Sequence, residues 1–256
     1  MYMIGFFKII LYEPLLNLLI LFYNIVPGHD LGVAIILLTV LVKLLLYPLS
    51  RQSIKAQKSL QGIQPKLDAI KAKYAHDKEK QSKAIMDFYK ENKINPFSSC
   101  LPLLIQLPIL IAVFQVFRVG LTESVLPVYS FISNPGTLKV LAFGFLNLAK
   151  PNIFLALITA FCQYLQTKML AVHKPPQEFI KKDVAKDENM MSMMNKQMKF
   201  IMPAMTFFIG LSLPSGLMLY WLASLLISIL EQEVTFGRLS FFKRFLKNGE
   251  IKKIKT

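Results

Sequence analysis

Thr39-Val-Leu-Val-Lys43-Leu-Leu-Leu-Tyr47-Pro48-Leu49 is the second half of an apolar run that begins at Leu31. The run is long enough to cross a bilayer, and it contains one full positive charge, Lys43. An ionisable residue inside a span costs about 2.5–3.5 kcal/mol on insertion scales. Lys43 lies six residues before Leu49, or about 9 Å along a helix rising 1.5 Å per residue. Its stem could snorkel much of that distance to water. The other reading is a hydrated internal cavity. Thr39 lies four residues earlier, on the same helix face. Tyr47 and Pro48 close the span, and a basic segment begins at Arg51.

Composition places the chain in a membrane. Of its 256 residues, 54% are hydrophobic, in blocks of spanning length. The 30 Lys+Arg against 15 Asp+Glu give a net charge of +15. In a soluble chain that excess would point to nucleic acid. Here the basic residues lie between and after the apolar blocks, so anionic membrane lipids are the expected partners and sequence-specific nucleic-acid binding is not. Cys100 and Cys162 both fall in expected spans, so no structural disulfide is expected. No metal-ligand spacing and no Gly-rich phosphate loop occurs, and no cofactor or metal is expected. The N-terminus lacks the small-residue cleavage site of a signal peptide, and Met1 is expected to remain.

Residues 4–26 are apolar but carry Glu13, Asn17 and Asn24 as a narrow polar stripe, with Pro14 suited to a first helical turn. They read as an N-terminal interfacial helix within residues 1–30, with an extra span as the alternative. Pro27-Gly28 makes a turn, and Asp30 can cap the next helix. Transmembrane span 1 covers 31–49. Residues 50–96 carry 11 Lys/Arg and five Asp/Glu. There Ile54, Leu60, Ile63, Leu67, Ile70 and Tyr74 fall on one helical face. Pro65 can bend that helix, and Asp77 can cap a second one bearing Ile85, Phe88 and Tyr89. The reading is an antiparallel helical hairpin over 50–97, outside the membrane. Asn95-Pro96 ends it.

Span 2 covers 98–118 and span 3 covers 152–171, separated by an extracytoplasmic loop, 119–151. A polar cytoplasmic loop, 172–198, leads to the short span 4 at 199–213. Pro214-Ser215-Gly216 reads as a tight turn into span 5 at 217–234. The tail, 235–256, is basic: residues 237–256 hold seven basic residues and one acid. The 50–96 segment and the tail are strongly basic and the 119–150 loop is not, which places the N-terminus outside and the C-terminus in the cytoplasm. No internal repeat is evident.

Gln106, Gln163 and Gln166 sit at a depth comparable to Lys43 in other spans, and span 5 carries Tyr220, Trp221 and Ser224. Amides and hydroxyls in a bilayer need a neighbour or water. Several at one depth fit a shared polar cavity open to the cytoplasm; the alternative is hydrogen bonding between helices. Met190, Met191, Met194, Met198, Met202 and Met205 form a helical stripe that suits either packing or an adaptable apolar surface. The basic hairpin suits a solvated face, a ribosome or a client chain. His29, His76 and His173 are isolated, and no catalytic constellation occurs, so an enzyme is not expected. Spans 1–4 contain no Asp or Glu, which weakens an ion-coupled transporter.

Several stretches resemble a known family. They are Lys43-Leu-Leu-Leu-Tyr47-Pro48-Leu49, Leu60–Leu67 (LQGIQPKL), Asn95-Pro-Phe-Ser-Ser-Cys-Leu-Pro-Leu-Leu-Ile-Gln-Leu-Pro108 and Pro214-Ser-Gly-Leu-Met-Leu-Tyr-Trp221. They look like the YidC membrane-protein insertase family, in order, over roughly residues 12–236. The resemblance implies an all-α integral membrane protein with five transmembrane helices around a hydrophilic groove, open to the cytoplasm and sideways to lipid. Lys43 matches the position of the family's groove arginine, and Thr39, Gln166 and Trp221 match groove positions. Gln163, Gln106 and Tyr220 complete the expected client-binding set. The hairpin matches the family's mobile cytoplasmic hairpin, and the tail resembles ribosome-contacting tails. Two departures stand out: a lysine for the arginine, and Ser98-Ser99 where glycine is usual beside the cysteine.

The expected function is therefore a membrane-protein insertase and chaperone of the bacterial cytoplasmic membrane. Its partners would be nascent membrane proteins, the ribosome and lipids, with the Sec translocon a further candidate. A small-solute channel or transporter using the same polar residues is the alternative, and a purely structural membrane subunit the third.

Overall fold

A computed structural model describes residues 5, 7–92, 101–122, 126–170 and 200–236, which are mostly helical. The stretches 93–100, 171–199 and 237–256 lie outside the described residues, and with them Asn95-Pro96, Ser98-Ser99, Cys100, His173, Met190, Met191, Met194, Met198 and the basic tail. Three described helical stretches are long and apolar enough to cross a membrane: Lys8–Ile25, Leu31–Leu60 and Ser215–Thr235. Gln106–Gly120, Ile153–Met169 and Phe200–Gly210 are shorter apolar helices. The chain forms two compact units.

The first unit comprises Met1–Tyr47, Leu103–Gln163 and Pro203–Ile227. Helix α1 (Glu13–Ile25) is entered through a wide π turn, Lys8–Tyr12, in which the Glu13 N–H donates to the Lys8 carbonyl. The helix therefore starts before Pro14 rather than at it. Proline brings no N–H for the carbonyl behind it, and a widened turn accommodates that loss. Tyr12, Leu15, Leu16, Leu19, Ile20 and Tyr23 of this segment are buried. The polar stripe is used inside the protein: Asn17 is buried, donates to the Glu13 carbonyl at 2.8 Å and accepts from the Tyr129 N–H at 2.7 Å.

Asp30 caps helix α2 (Leu31–Lys73) by accepting from the Val33 N–H at 3.1 Å. Helix α4 (Leu101–Thr122) buries Ile109, Ala112, Val113, Val116 and Phe117, the three- and four-residue recurrence of one helical face. The loop that follows contains a short antiparallel hairpin that the residue pattern did not signal. Strand β1 (Leu141–Ala142) pairs with β2 (Leu146–Asn147), Leu141 opposite Asn147 and Ala142 opposite Leu146. Its turn holds Phe143 and Gly144 at φ of 55° and 79°, and the Phe145 N–H donates to the Ala142 carbonyl at 3.1 Å. Positive φ at both central residues is the hairpin-forming mirror-image turn.

Asn152 caps helix α5 (Ile153–Leu170), accepting from the Leu155 N–H at 3.0 Å. Helix α6 (Phe200–Gly210) leads to α7 (Ser215–Phe236). Ser215 and Gly216 are the first residues of α7 rather than part of the preceding turn. Their N–H groups donate at 3.0 Å to the carbonyls of Lys150 and Leu148, and the Ser215 hydroxyl donates to Lys150 at 2.6 Å. Donors that a helix start leaves open are thereby satisfied by backbone from another segment. The core of this unit joins α1, the start of α2, α4, the 126–148 loop and the start of α7.

The second unit comprises Pro48–Pro102, Tyr164–Met202 and Ser228–Thr256. Helix α2 does not end at Pro48; it runs through Pro48 and Pro65 to Lys73. A proline inside a helix removes one backbone hydrogen bond and need not stop the chain, provided the neighbouring turns hold. Ile54 and Leu67 are buried, and Leu60, Ile63, Ile70 and Tyr74 are half-buried. After a turn, Asp77 caps α3 (Lys78–Glu91) by accepting from the Lys80 N–H at 3.0 Å. The Gln81 side-chain amide reaches back to the Lys71 carbonyl at 2.9 Å, tying α3 to α2. Elsewhere in this unit the Ser50 hydroxyl donates to the buried Glu231 carboxylate at 2.6 Å.

Candidate functional site

On four helices of the first unit, half-buried polar or aromatic residues lie within four positions of buried ones. On α2 Leu38 and Thr39 are buried, and residues 40–47 after them are all half-buried or exposed. On α4 Ile109 is buried, and Gln106–Pro108 before it are half-buried or exposed. On α5 Cys162 is buried, and Gln163 follows half-buried. On α7 the unbroken run Ser215–Tyr220 is buried, Trp221–Ala223 are half-buried, and burial resumes at Ser224 and Leu225. The half-buried residues beside these buried stretches are Lys43, Gln106, Gln163 and Trp221. A polar residue that is only half-buried has part of its surface open to water, lipid or another molecule.

Thr39 is fully buried, and its hydroxyl donates to the Ile35 carbonyl one turn back at 2.7 Å. Thr159 on α5 does the same to Leu155 at 2.7 Å. Such back-bonding satisfies a hydroxyl in apolar surroundings without another helix. Lys43 is half-buried on the same face, one turn beyond Thr39. Tyr220 is only 2% exposed. Its hydroxyl accepts from the Gln106 amide at 3.1 Å, a bond between α4 and α7.

Of the seven residues singled out from the sequence, this contact brings together Gln106 and Tyr220. Lys43, Thr39, Gln163 and Trp221 belong to the same unit. Gln166, half-buried, belongs to the second unit. Met202 and Met205 are exposed, so that part of the methionine stripe is not packed in the core. Among the described residues, no group of three or more His, Cys, Asp or Glu could hold a metal.

A second set of polar residues closes the other end of the unit. The Asn24 amide donates to the Ser133 carbonyl at 2.8 Å, and the Tyr23 hydroxyl accepts from the Lys139 N–H at 3.1 Å. The Lys139 ammonium donates to the Gly28 carbonyl at 3.1 Å, and the second Asp30 oxygen accepts from the Phe143 N–H at 2.6 Å. Asn17 joins this set through Tyr129. Each links residues more than a hundred positions apart, so local pattern could not reveal them; the one available signal was that asparagines inside an apolar helix need partners.

Residues 21–240 match the family described as 60Kd inner membrane protein. A protein of Fusobacterium nucleatum named membrane protein insertase YidC is 35% identical over 205 residues, covering 79% of this chain and 84% of that one. Proteins of the same name from Pelobacter propionicus and Rickettsia conorii are 33% and 32% identical and cover 90% and 89% of this chain. The chain spans 39% of the length of each of these two.

Proposed function

The chain belongs to the 60Kd inner membrane protein family, and we propose that it is a membrane-protein insertase and chaperone of the bacterial cytoplasmic membrane. Five spans would enclose a hydrophilic groove lined by Lys43, Thr39, Gln106, Gln163, Gln166, Tyr220 and Trp221. The N-terminus would lie outside and the C-terminus in the cytoplasm. The observation that carries this reading is the Gln106–Tyr220 hydrogen bond between α4 and α7, with Lys43, Gln163 and Trp221 half-buried on helices of the same unit.

The physical task is to carry a client's polar tail across about 30 Å of hydrocarbon. A wet groove reaching partway in shortens the dry path. Lys43 supplies a point charge that draws an acidic tail into it. A lysine has no planar fork, so the attraction selects charge rather than bidentate geometry. The client's apolar helix then moves sideways into lipid. Its burial supplies the driving force, at about 25 cal/mol per Å² of apolar area. The short α6 and the Pro214 turn would thin the bilayer locally and reduce the barrier further. The basic 50–97 hairpin and tail would meet the ribosome and incoming clients, with the Sec translocon a further partner.

The test is complementation of cells depleted of their own insertase. A hydrogen bond to a charged group is worth about 1.5–3 kcal/mol, so Lys43→Ala should lower insertion of single-span clients with acidic N-terminal tails by roughly tenfold or more. Lys43→Arg should retain it. Undiminished insertion by Lys43→Ala would remove charge capture from the account.

A further inference from the structure

The 126–150 loop carries large apolar side chains on its outside while its backbone is fastened within. Phe131 is 81% exposed and Phe145 78%, values that large rings rarely keep in water. Leu141 is exposed beside them on β1. The apolar surface continues into the first turns of α5, where Ile153 and Phe154 are exposed as well.

The loop's polar groups face the other way. The Tyr129 N–H is bonded to Asn17, that of Lys139 to Tyr23, and that of Phe143 to Asp30. The Lys150 carbonyl is taken by Ser215. The hairpin also sits directly on α2, since a Cβ on Gly32 would lie 2.6 Å from the Ala142 Cβ. The rings are therefore held in fixed directions, with much of the local backbone already paired. Those conditions let a non-helical segment enter the boundary of a bilayer, because unpaired backbone is what lipid excludes.

Charge selects the occupant. Between 126 and 150 the loop has Lys139 and Lys150 and no Asp or Glu. Aromatic rings beside lysine are the composition of a membrane–water interface, where rings sit at head-group level and an ammonium can meet lipid phosphate. Lys150 is exposed for that contact, while the Lys139 ammonium is bonded to the Gly28 carbonyl. We propose that the 126–150 loop is an interfacial anchor that seats Phe131, Leu141 and Phe145 at the head-group level of the leaflet it faces. Asp30 is its positioning residue, capping α2 with one oxygen and holding the hairpin turn with the other. The anchor rests on the chain being a membrane protein and not on how clients are received.

The test uses the full chain in phosphatidylcholine–phosphatidylglycerol vesicles. Phe145→Trp and Phe131→Trp are made separately, and the emission of the parent, which contains one tryptophan, is subtracted. The lipids carry bromine either near the head-group end or near the far end of the acyl chains. The expected result is a blue-shifted added emission in both variants, quenched more strongly by shallow bromine than by deep. Emission typical of water, unquenched by either lipid, would overturn the proposal. So would blue-shifted, unquenched emission that fades when the protein is diluted in lipid, since that marks contact with a second copy. Each variant reports alone if the other fails to fold.

Discussion

The Gln106 amide donates to the Tyr220 hydroxyl at 3.1 Å, joining α4 to α7. A buried hydroxyl deprived of its partner costs about 1–3 kcal/mol, whereas losing both partners to apolar groups of similar shape is nearly neutral. Gln106→Met should therefore destabilise by about that amount, and Tyr220→Phe by about 1 kcal/mol. The double variant should recover most of the loss. Unfolding of the three variants in detergent micelles checks this through the coupling energy of the cycle.

Two glycines on one helix should respond in opposite senses to the same change. Near the start of α2, a Cβ on Gly32 would meet the Ala142 Cβ at 2.6 Å and the Phe143 ring at 2.8 Å. Gly32→Ala should destabilise by about 1–3 kcal/mol through overpacking. Gly62 lies within the same helix with nothing within 4 Å of its would-be Cβ. Gly62→Ala should stabilise by about 0.5–1 kcal/mol. Thermal unfolding of each variant against the parent gives the sign.

Asn17 holds the 126–150 loop from inside α1. Asn17→Leu would fill the space but leave the Tyr129 N–H unpaired, a penalty of about 1–3 kcal/mol. The change should appear locally as faster hydrogen exchange in the loop. Unaltered exchange at Tyr129 in Asn17→Leu would contradict this role.

The α2–α3 turn should loosen in acid. The Lys80 ammonium, bonded to the Asp77 carboxylate at 2.8 Å, and the Lys80 N–H hold the Asp77 carboxyl below its ordinary value of 3.8. A carboxyl lowered on folding adds stability that is complete above 3.8 and lost as pH falls through the lower, folded value. Amide exchange at Lys80 and Gln81 should accelerate only below that point. In Asp77→Asn the dependence should vanish, because the amide still caps but does not titrate in this range.

What could be read in the sequence was what neighbours in the chain decide. Asp30 and Asp77 bond amides three residues on, and the Ile54–Tyr74 face repeats with the helical period. Both follow from short-range geometry. The passage of α2 through Pro48 was not legible, because a proline's cost to a helix depends on what the surrounding turns gain. The hairpin at Leu141–Asn147 was hidden because Phe143, not glycine or asparagine, takes the first positive φ. Its N–H is held by Asp30, 113 residues away. At the candidate site, the polar residues announced themselves one by one, since each is anomalous in an apolar run. Their partners did not, because the Gln106–Tyr220 contact joins separate helices.

The central claim is that clients meet the half-buried residues Lys43, Gln106, Gln163 and Trp221. The direct measurement is site-specific photo-crosslinking to stalled nascent membrane proteins. A photoreactive residue is placed at Gln163, at Trp221 or, as a control, at the exposed Leu157 of α5. The account predicts adducts from Gln163 and Trp221 to clients of varied sequence, and few from Leu157. If neither site position forms adducts while the same clients still insert, the site is not where they are received, and the account is contradicted.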